Sequence, residues 1–289
     1  MTRTTVWLGL LACLPGLASG QAVDTTDFGA ITYQIALANS ADNEYVLYVT
    51  TPPGYEQGQR YPVVYYLDAW WLRDVVRGAY GMARVAEKAE AVLLVGISVP
   101  GDEDAWHRHR NADFTPTPFR PLAPGLTMNI GTVPIDSAST GRSALFSRFL
   151  ERTVFPLVEA EYGASRSDRG LIGHSLGGLF GLWAIQARPD LFRRVAMIAP
   201  SGWWNKGEWI GEALRDRLDQ NDVLQAVFLG VGGAEQSLIL RPAATLDERL
   251  IPYARAELRY QYKTYPEADH TAVVAPAVYD SIVWLYGTD

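Results

Sequence analysis

"RGLIGHSLGGLFGLWAI" (residues 169–185) passes from an apolar run into a helix-forming run through Gly173, Ser175, Gly177 and Gly178. Glycine lowers helix propensity by about 1 kcal/mol per residue, so packing alone does not ask for this junction. G-x-S-x-G between a buried strand ("GLIG") and a helix ("LFGLWAI") is the pattern of a nucleophile elbow. The chain turns there so tightly that the serine takes strained backbone angles, and Gly173 and Gly177 keep bulky neighbours away. Ser175 then stands at the C-terminal edge of a sheet, beside a helix N-terminus that favours developing negative charge. His174, its neighbour, reads as packed beneath the elbow rather than as catalytic.

The rest of the chain supplies the sheet. Residues 30–38 and 45–52 alternate and carry β-branched and aromatic residues, as expected of an antiparallel pair joined by "SADNE". "PVVYYLD" (62–68), "AVLLVGISV" (91–99), "RVAMIAP" (194–200) and "AVFLGVG" (226–232) are continuous apolar runs, the mark of strands buried on both faces. "LRYQYKTYP" (258–266) is the last strand. Helical spacing marks 74–90, 143–162 with a kink at Pro156, 208–220, 244–256 and 273–287. Strands alternating with helices predict an α/β fold: a mostly parallel central sheet, helices on both faces, and an antiparallel N-terminal edge. Residues 100–142 are rich in proline, glycine and polar residues without a period. They read as a loop over a site, because no second core follows them. A single domain therefore fills residues 21–289.

A serine hydroxyl needs a base. Of the four histidines, His107, His109, His174 and His270, only His270 follows a late strand, in "PEADHTAV". That is the place of the general base in the order Ser, acid, His. The acid belongs after "AVFLGVG", where "GGAEQS" offers Glu235. Asp247 falls one helix later, on a solvated face. Asp269 adjoins the histidine, and adjacent residues seldom orient each other's side chains. A Ser–His dyad without an essential acid is the alternative. Two backbone N–H groups complete such a site: that of Leu176, after the serine, and that of Trp70 in "LDAWW", with Ala69 as the neighbouring choice. Trp70, Trp71, Trp203 and Trp204 all follow strands, at the end where ligands bind, and either shape a pocket or simply pack. His107 and His109 fall in the long loop and read as solvated.

Composition limits the partners. Hydrophobic residues make up 48% and charged residues 20%, enough for a core that needs no staples. Arg3, the apolar run "VWLGLLACLPGL" and the small residues "ASG" form a secretory signal over residues 1–20, cut after Gly20 or Ala22. Cys13, the only cysteine, would leave with it; lipidation there is the alternative, though Leu11 suits that signal poorly. Without the signal the chain keeps 24 basic and 32 acidic side chains, a net charge of −8. This argues against nucleic acid and against anionic membrane surfaces as partners. No metal or organic cofactor is implied.

Several segments together resemble one family: "YYLDAWW", "RNADFTPTP", "SALFSRFLERTVFPLVEAEYG", "LIGHSLGGLFGLWAI", "APSGWWN" and "HTAVVAPAVYDSIVWLY". They are similar to the putative esterase family of α/β-hydrolases, from about residue 30 to the end. The resemblance is nearest to the siderophore-esterase branch, through the long loop, "PSGWW" and the glutamate of "GVGGAEQ". It implies an α/β-hydrolase fold and hydrolysis of a small-molecule carboxylic ester through an acyl-serine. In it Ser175 is the nucleophile, His270 the base, and Leu176 and Trp70 the oxyanion donors. The family's "LDG" is "LDA" here, with Ala69 in place of glycine, which narrows the options at the oxyanion loop. A trianionic ferric siderophore would want arginines near the site, from Arg73, Arg108, Arg110 or Arg142. Arg110, Trp71, Trp203 and Trp204 are the substrate-binding candidates. An acyltransferase on the same residues, or a binding protein that keeps the fold, are the rival expectations.

Overall fold

Five apolar runs and the more polar last strand become the parallel part of a nine-stranded sheet in the computed structural model. The structure describes residues 25–27, 30–38, 44–121, 128–220, 223–254 and 258–288. The expected signal segment 1–20, its Cys13 and residues 40–43 of the expected turn lie outside the described residues.

The strands are β1 (Thr25–Asp27), β2 (Ala30–Ala38), β3 (Glu44–Thr50), β4 (Tyr61–Tyr66), β5 (Leu93–Ser98), β6 (Met128–Ile130), β7 (Val133–Ile135), β8 (Ala164–His174), β9 (Arg194–Ile198), β10 (Ala226–Gly232) and β11 (Arg259–Tyr265). The large sheet runs β1-β2-β3-β5-β4-β8-β9-β10-β11. β1, β2, β3 and β5 pair antiparallel in succession, and every pair from β5 to β11 is parallel. The expected antiparallel edge is therefore present, with β1 as an additional strand. The helices are α1 (Ala69–Val85), α2 (Glu103–Asp113), α3 (Ser143–Phe149), α4 (Phe155–Tyr162), α5 (Leu176–Ala187), α6 (Ala213–Asp219), α7 (Ser237–Leu250) and α8 (Val274–Tyr286). None among the described residues is long and apolar enough to cross a membrane.

The continuous apolar strands are buried for the expected reason. Val63, Val64, Tyr65 and Tyr66 on β4, Leu67 just after it, and Val227, Phe228, Leu229 and Val231 on β10 have no accessible surface. Helices cover both faces of a parallel sheet, so neither face can be polar.

Three local readings are corrected. Residues 100–142 are not a bare loop: they contain α2 and the β6–β7 hairpin. Asp102 starts α2 by accepting from the Ala105 N–H at 2.9 Å, an N-cap whose signal is short and local. The expected helix over 143–162 is interrupted by a π-helical turn at Leu150–Val154, placed so that Pro156 falls in the first turn of α4. Proline needs no N–H donor there. Finally, α1 begins at Ala69 rather than near residue 74, so Trp70 and Trp71 are first-turn residues of a helix.

Candidate active site

β4 leads first to β5 on one side and then, through α2, the β6–β7 hairpin, α3 and α4, to β8 on the other. Strand order thus reverses at β4 and β8, and the crevice beyond their C-terminal ends is the natural ligand position of such a sheet. Asp68 follows β4, Ser175 follows β8, Ser201 lies just beyond β9, Glu235 beyond β10 and His270 beyond β11.

Ser175 has φ 57° and ψ −114°, a conformation that non-glycine residues avoid. The turn that imposes it depends on Gly173: a Cβ there would come within 2.2 Å of the Gly177 carbonyl oxygen. Gly177 itself is less constrained than expected, since its added Cβ would make ordinary 3.5 Å contacts with Leu67 and Asp68. The Ser175 N–H donates to the Ile198 carbonyl at 2.9 Å, and its carbonyl accepts from the Ser201 N–H at 3.0 Å. Its Oγ faces the Ser201 Oγ at 3.3 Å, and no bond to the His270 ring is formed among the described residues. Ser201, wholly buried, escaped sequence reasoning; "APSGWW" signalled only its tryptophans.

Glu235 and His270 are brought together by two turns that fit against each other. The Gly233 N–H donates to the Tyr265 carbonyl at 2.7 Å and the Ala234 N–H to the Ala268 carbonyl at 3.0 Å. Gly232 permits this approach, because a Cβ there would lie 2.2 Å from the Ala268 oxygen. The Glu235 carboxylate, 1% exposed, accepts from His270 Nδ1 with both oxygens at 3.0 Å. Asp269 instead accepts from the N–H groups of Ala272 and Thr271, at 2.8 and 3.0 Å. Those backbone donors, Ala272 first, hold its carboxyl below the usual range. Asp247, expected on a solvated face, is instead half-buried and accepts from the Tyr260 hydroxyl of β11 at 2.7 Å.

His174 is buried beneath the turn, as expected, and does more than pack. Its Nε2 donates to the His270 carbonyl at 2.8 Å, and its ring meets that of His270 at 4.6 Å and Trp71 edge-on at 5.7 Å. Burial, reinforced by His270 and Arg110, holds its pKa well below the ordinary histidine value. The neutral ring therefore anchors the His270 backbone through a single N–H donor.

The first N–H groups of a helix lack intrahelical acceptors, which leaves those of Ala69 and Trp70 on α1, and Leu176 and Gly177 on α5, as donors at the crevice. The left-handed residue of "LDAWW" is Asp68, at φ 58°, so alanine at position 69 brings no backbone strain. Asp68 is buried and held by Arg110, at 2.8 and 3.1 Å, and by Trp106 Nε1 at 2.8 Å.

An open cavity of about 870 Å3 surrounds Ser175 and His270. Trp70, Trp71, Trp106, Trp203, Met128, Leu238 and Ile239 supply its apolar surface. Trp204 does not line it: it is fully buried against Phe119, with its Nε1 donating to the Thr117 carbonyl at 3.2 Å. Its expected substrate contact is thus replaced by core packing. His107 is buried against Trp106 and lines the cavity, whereas His109 is only partly exposed and packs on Tyr45; neither is freely solvated. Of the four candidate arginines, Arg110 lines the cavity, while Arg73, Arg108 and Arg142 are not part of its wall. Trp106, Glu103, Met128 and Asn129 carry no signal in the sequence, because the α2 and hairpin segment has no clear period there.

Comparisons with known proteins agree with this architecture. The sequence profile of the "Putative esterase" family matches residues 38–119 and 133–273. The ferri-bacillibactin esterase BesA of Bacillus subtilis is 26% identical over 251 residues, covering 82% of this chain and 83% of that protein. The siderophore triacetylfusarinine C esterase of Aspergillus fumigatus is 28% identical over 179 residues, 60% of this chain and 56% of that one. The crystal structure of the BES protein from Bacillus cereus superposes with a TM-score of 0.77 at 22% identity, covering 93% of this chain and 99% of that one. The profile spans both the elbow and the Glu235 turn; this chain belongs to the "Putative esterase" family and has the α/β-hydrolase fold.

Proposed function

We propose that this chain is an exported serine esterase that cleaves a small-molecule carboxylic ester of the siderophore type through an acyl-serine intermediate. The observation that carries the reading is the Glu235–His270 pair, joined at 3.0 Å, at the same sheet edge as the strained Ser175. His270 Nε2 takes the Ser175 proton once the hydroxyl leaves Ser201, and Oγ attacks the ester carbonyl. Glu235 keeps the proton on Nδ1 and stabilises the imidazolium that forms. The Leu176 and Trp70 N–H groups receive the developing oxyanion. Each such donor contributes about 3 kcal/mol of transition-state stabilisation. The protonated His270 then releases the alcohol, and water, activated by the same ring, returns Ser175. Trp71 and Trp203 hold the substrate, and Arg110 adds hydrogen-bond donors with its charge balanced by Asp68. The export pattern of residues 1–20 supports a reaction outside the cytoplasm.

The assay is hydrolysis of p-nitrophenyl esters from acetate to laurate. The expected result is p-nitrophenolate release well above the spontaneous rate, with the free acid as the other product. Folded protein that accelerates none of them overturns the reading.

A further inference from the structure

The cavity around Ser175 combines aromatic walls with an excess of carboxylates. Trp70, 40% exposed, stacks on Trp106 with centroids 5.2 Å apart and planes within 6°. Trp106 is fixed from behind by Asp68, and Trp71 and Trp203 extend the wall toward the elbow. Ring faces carry the negative end of the aromatic quadrupole, so a stacked wall accepts flat neutral groups and disfavours anions.

The charges act in the same direction. Glu103, Glu235 and Asp269 line the cavity. Arg110 is the one Lys or Arg among the described residues that lines it, and both Asp68 oxygens engage its guanidinium. The Arg110–Asp68 pair adds no net charge, and His174 is neutral. Residues 122–127, outside the described residues, are "LAPGLT" and contain no Lys or Arg. Three carboxylates are therefore left without a permanent cation of their own in the wall. An anionic ligand seated against this wall meets them within a Debye length.

Resting on the esterase reading above, we infer that this site selects esters whose cavity-bound part is uncharged and presents a flat or bulky apolar surface, and that it discriminates against polyanions. A ferric trihydroxamate ester, which is neutral, fits this chemistry. A ferric triscatecholate ester, which is trianionic, does not.

The test compares p-nitrophenyl hexanoate with mono-p-nitrophenyl adipate, whose acyl chain has the same length and ends in a carboxylate. Each is measured at low and high salt, with wild type and Glu103→Gln. The expected kcat/KM ratio favours the neutral ester by about tenfold or more at low salt. It narrows about two- to threefold in high salt, and similarly in Glu103→Gln. Equal turnover of the two esters overturns the inference. So does a ratio that responds to neither salt nor Glu103→Gln, since apolarity alone would then explain it. If neither ester is hydrolysed, the esterase reading itself fails.

Discussion

Replacing Ser175 with alanine is expected to lower kcat for any ester substrate by at least about 10⁴-fold while leaving the fold intact. Nucleophile loss in a serine hydrolase removes the covalent route, and what remains comes from binding and the oxyanion donors. The substitution is conservative in structure. Alanine suffers the same strain at φ 57° as serine, and the lost hydroxyl makes one 3.3 Å contact, with Ser201. Such a contact contributes about 1 kcal/mol or less to stability, so the thermal midpoint should move by only a few degrees. Steady-state kinetics beside a melting curve checks both halves. A variant that keeps more than about a tenth of the wild-type kcat would show that another group carries the reaction.

Glu235→Gln should be the next most damaging change, lowering kcat by about 10³- to 10⁴-fold with little change in KM. The carboxylate is 1% exposed and offers both oxygens to His270 Nδ1. Glutamine fills the same space but removes the charge that steadies the imidazolium, and its amide N–H favours the wrong tautomer. The expected split, in kcat rather than KM, separates this role from substrate binding. A loss below tenfold would mean that Ser175 and His270 suffice as a dyad.

Much of this was legible in the sequence because the signals were local. "GHSLGG" states its own turn, and the buried parallel strands announce themselves as unbroken apolar runs. The order Ser175, Glu235, His270 follows from reading which loop succeeds which strand. The illegible parts depend on tertiary context. The Leu150–Val154 π-turn is set by where Pro156 must sit. Nothing in "LDAWW" marks Asp68 as the left-handed residue that lets α1 begin five residues early. Arg110 is an arginine in an apparent loop until α2 forms and brings it to Asp68, which turns a candidate anion site into a balanced buried pair. Trp203 and Trp204 have equal claims in sequence, and only packing sends one to the cavity and the other to the core.

The most direct measurement is covalent: treat the wild-type chain with a fluorophosphonate, then locate the adduct by intact and peptide mass. Attack by the activated hydroxyl forms a phosphorus–oxygen bond and expels fluoride. The account predicts one adduct per chain, on the peptide containing Ser175, and none in Ser175→Ala. Folded wild-type protein that stays unlabelled, or that carries its adduct on another residue, would contradict the assignment of Ser175 as the nucleophile.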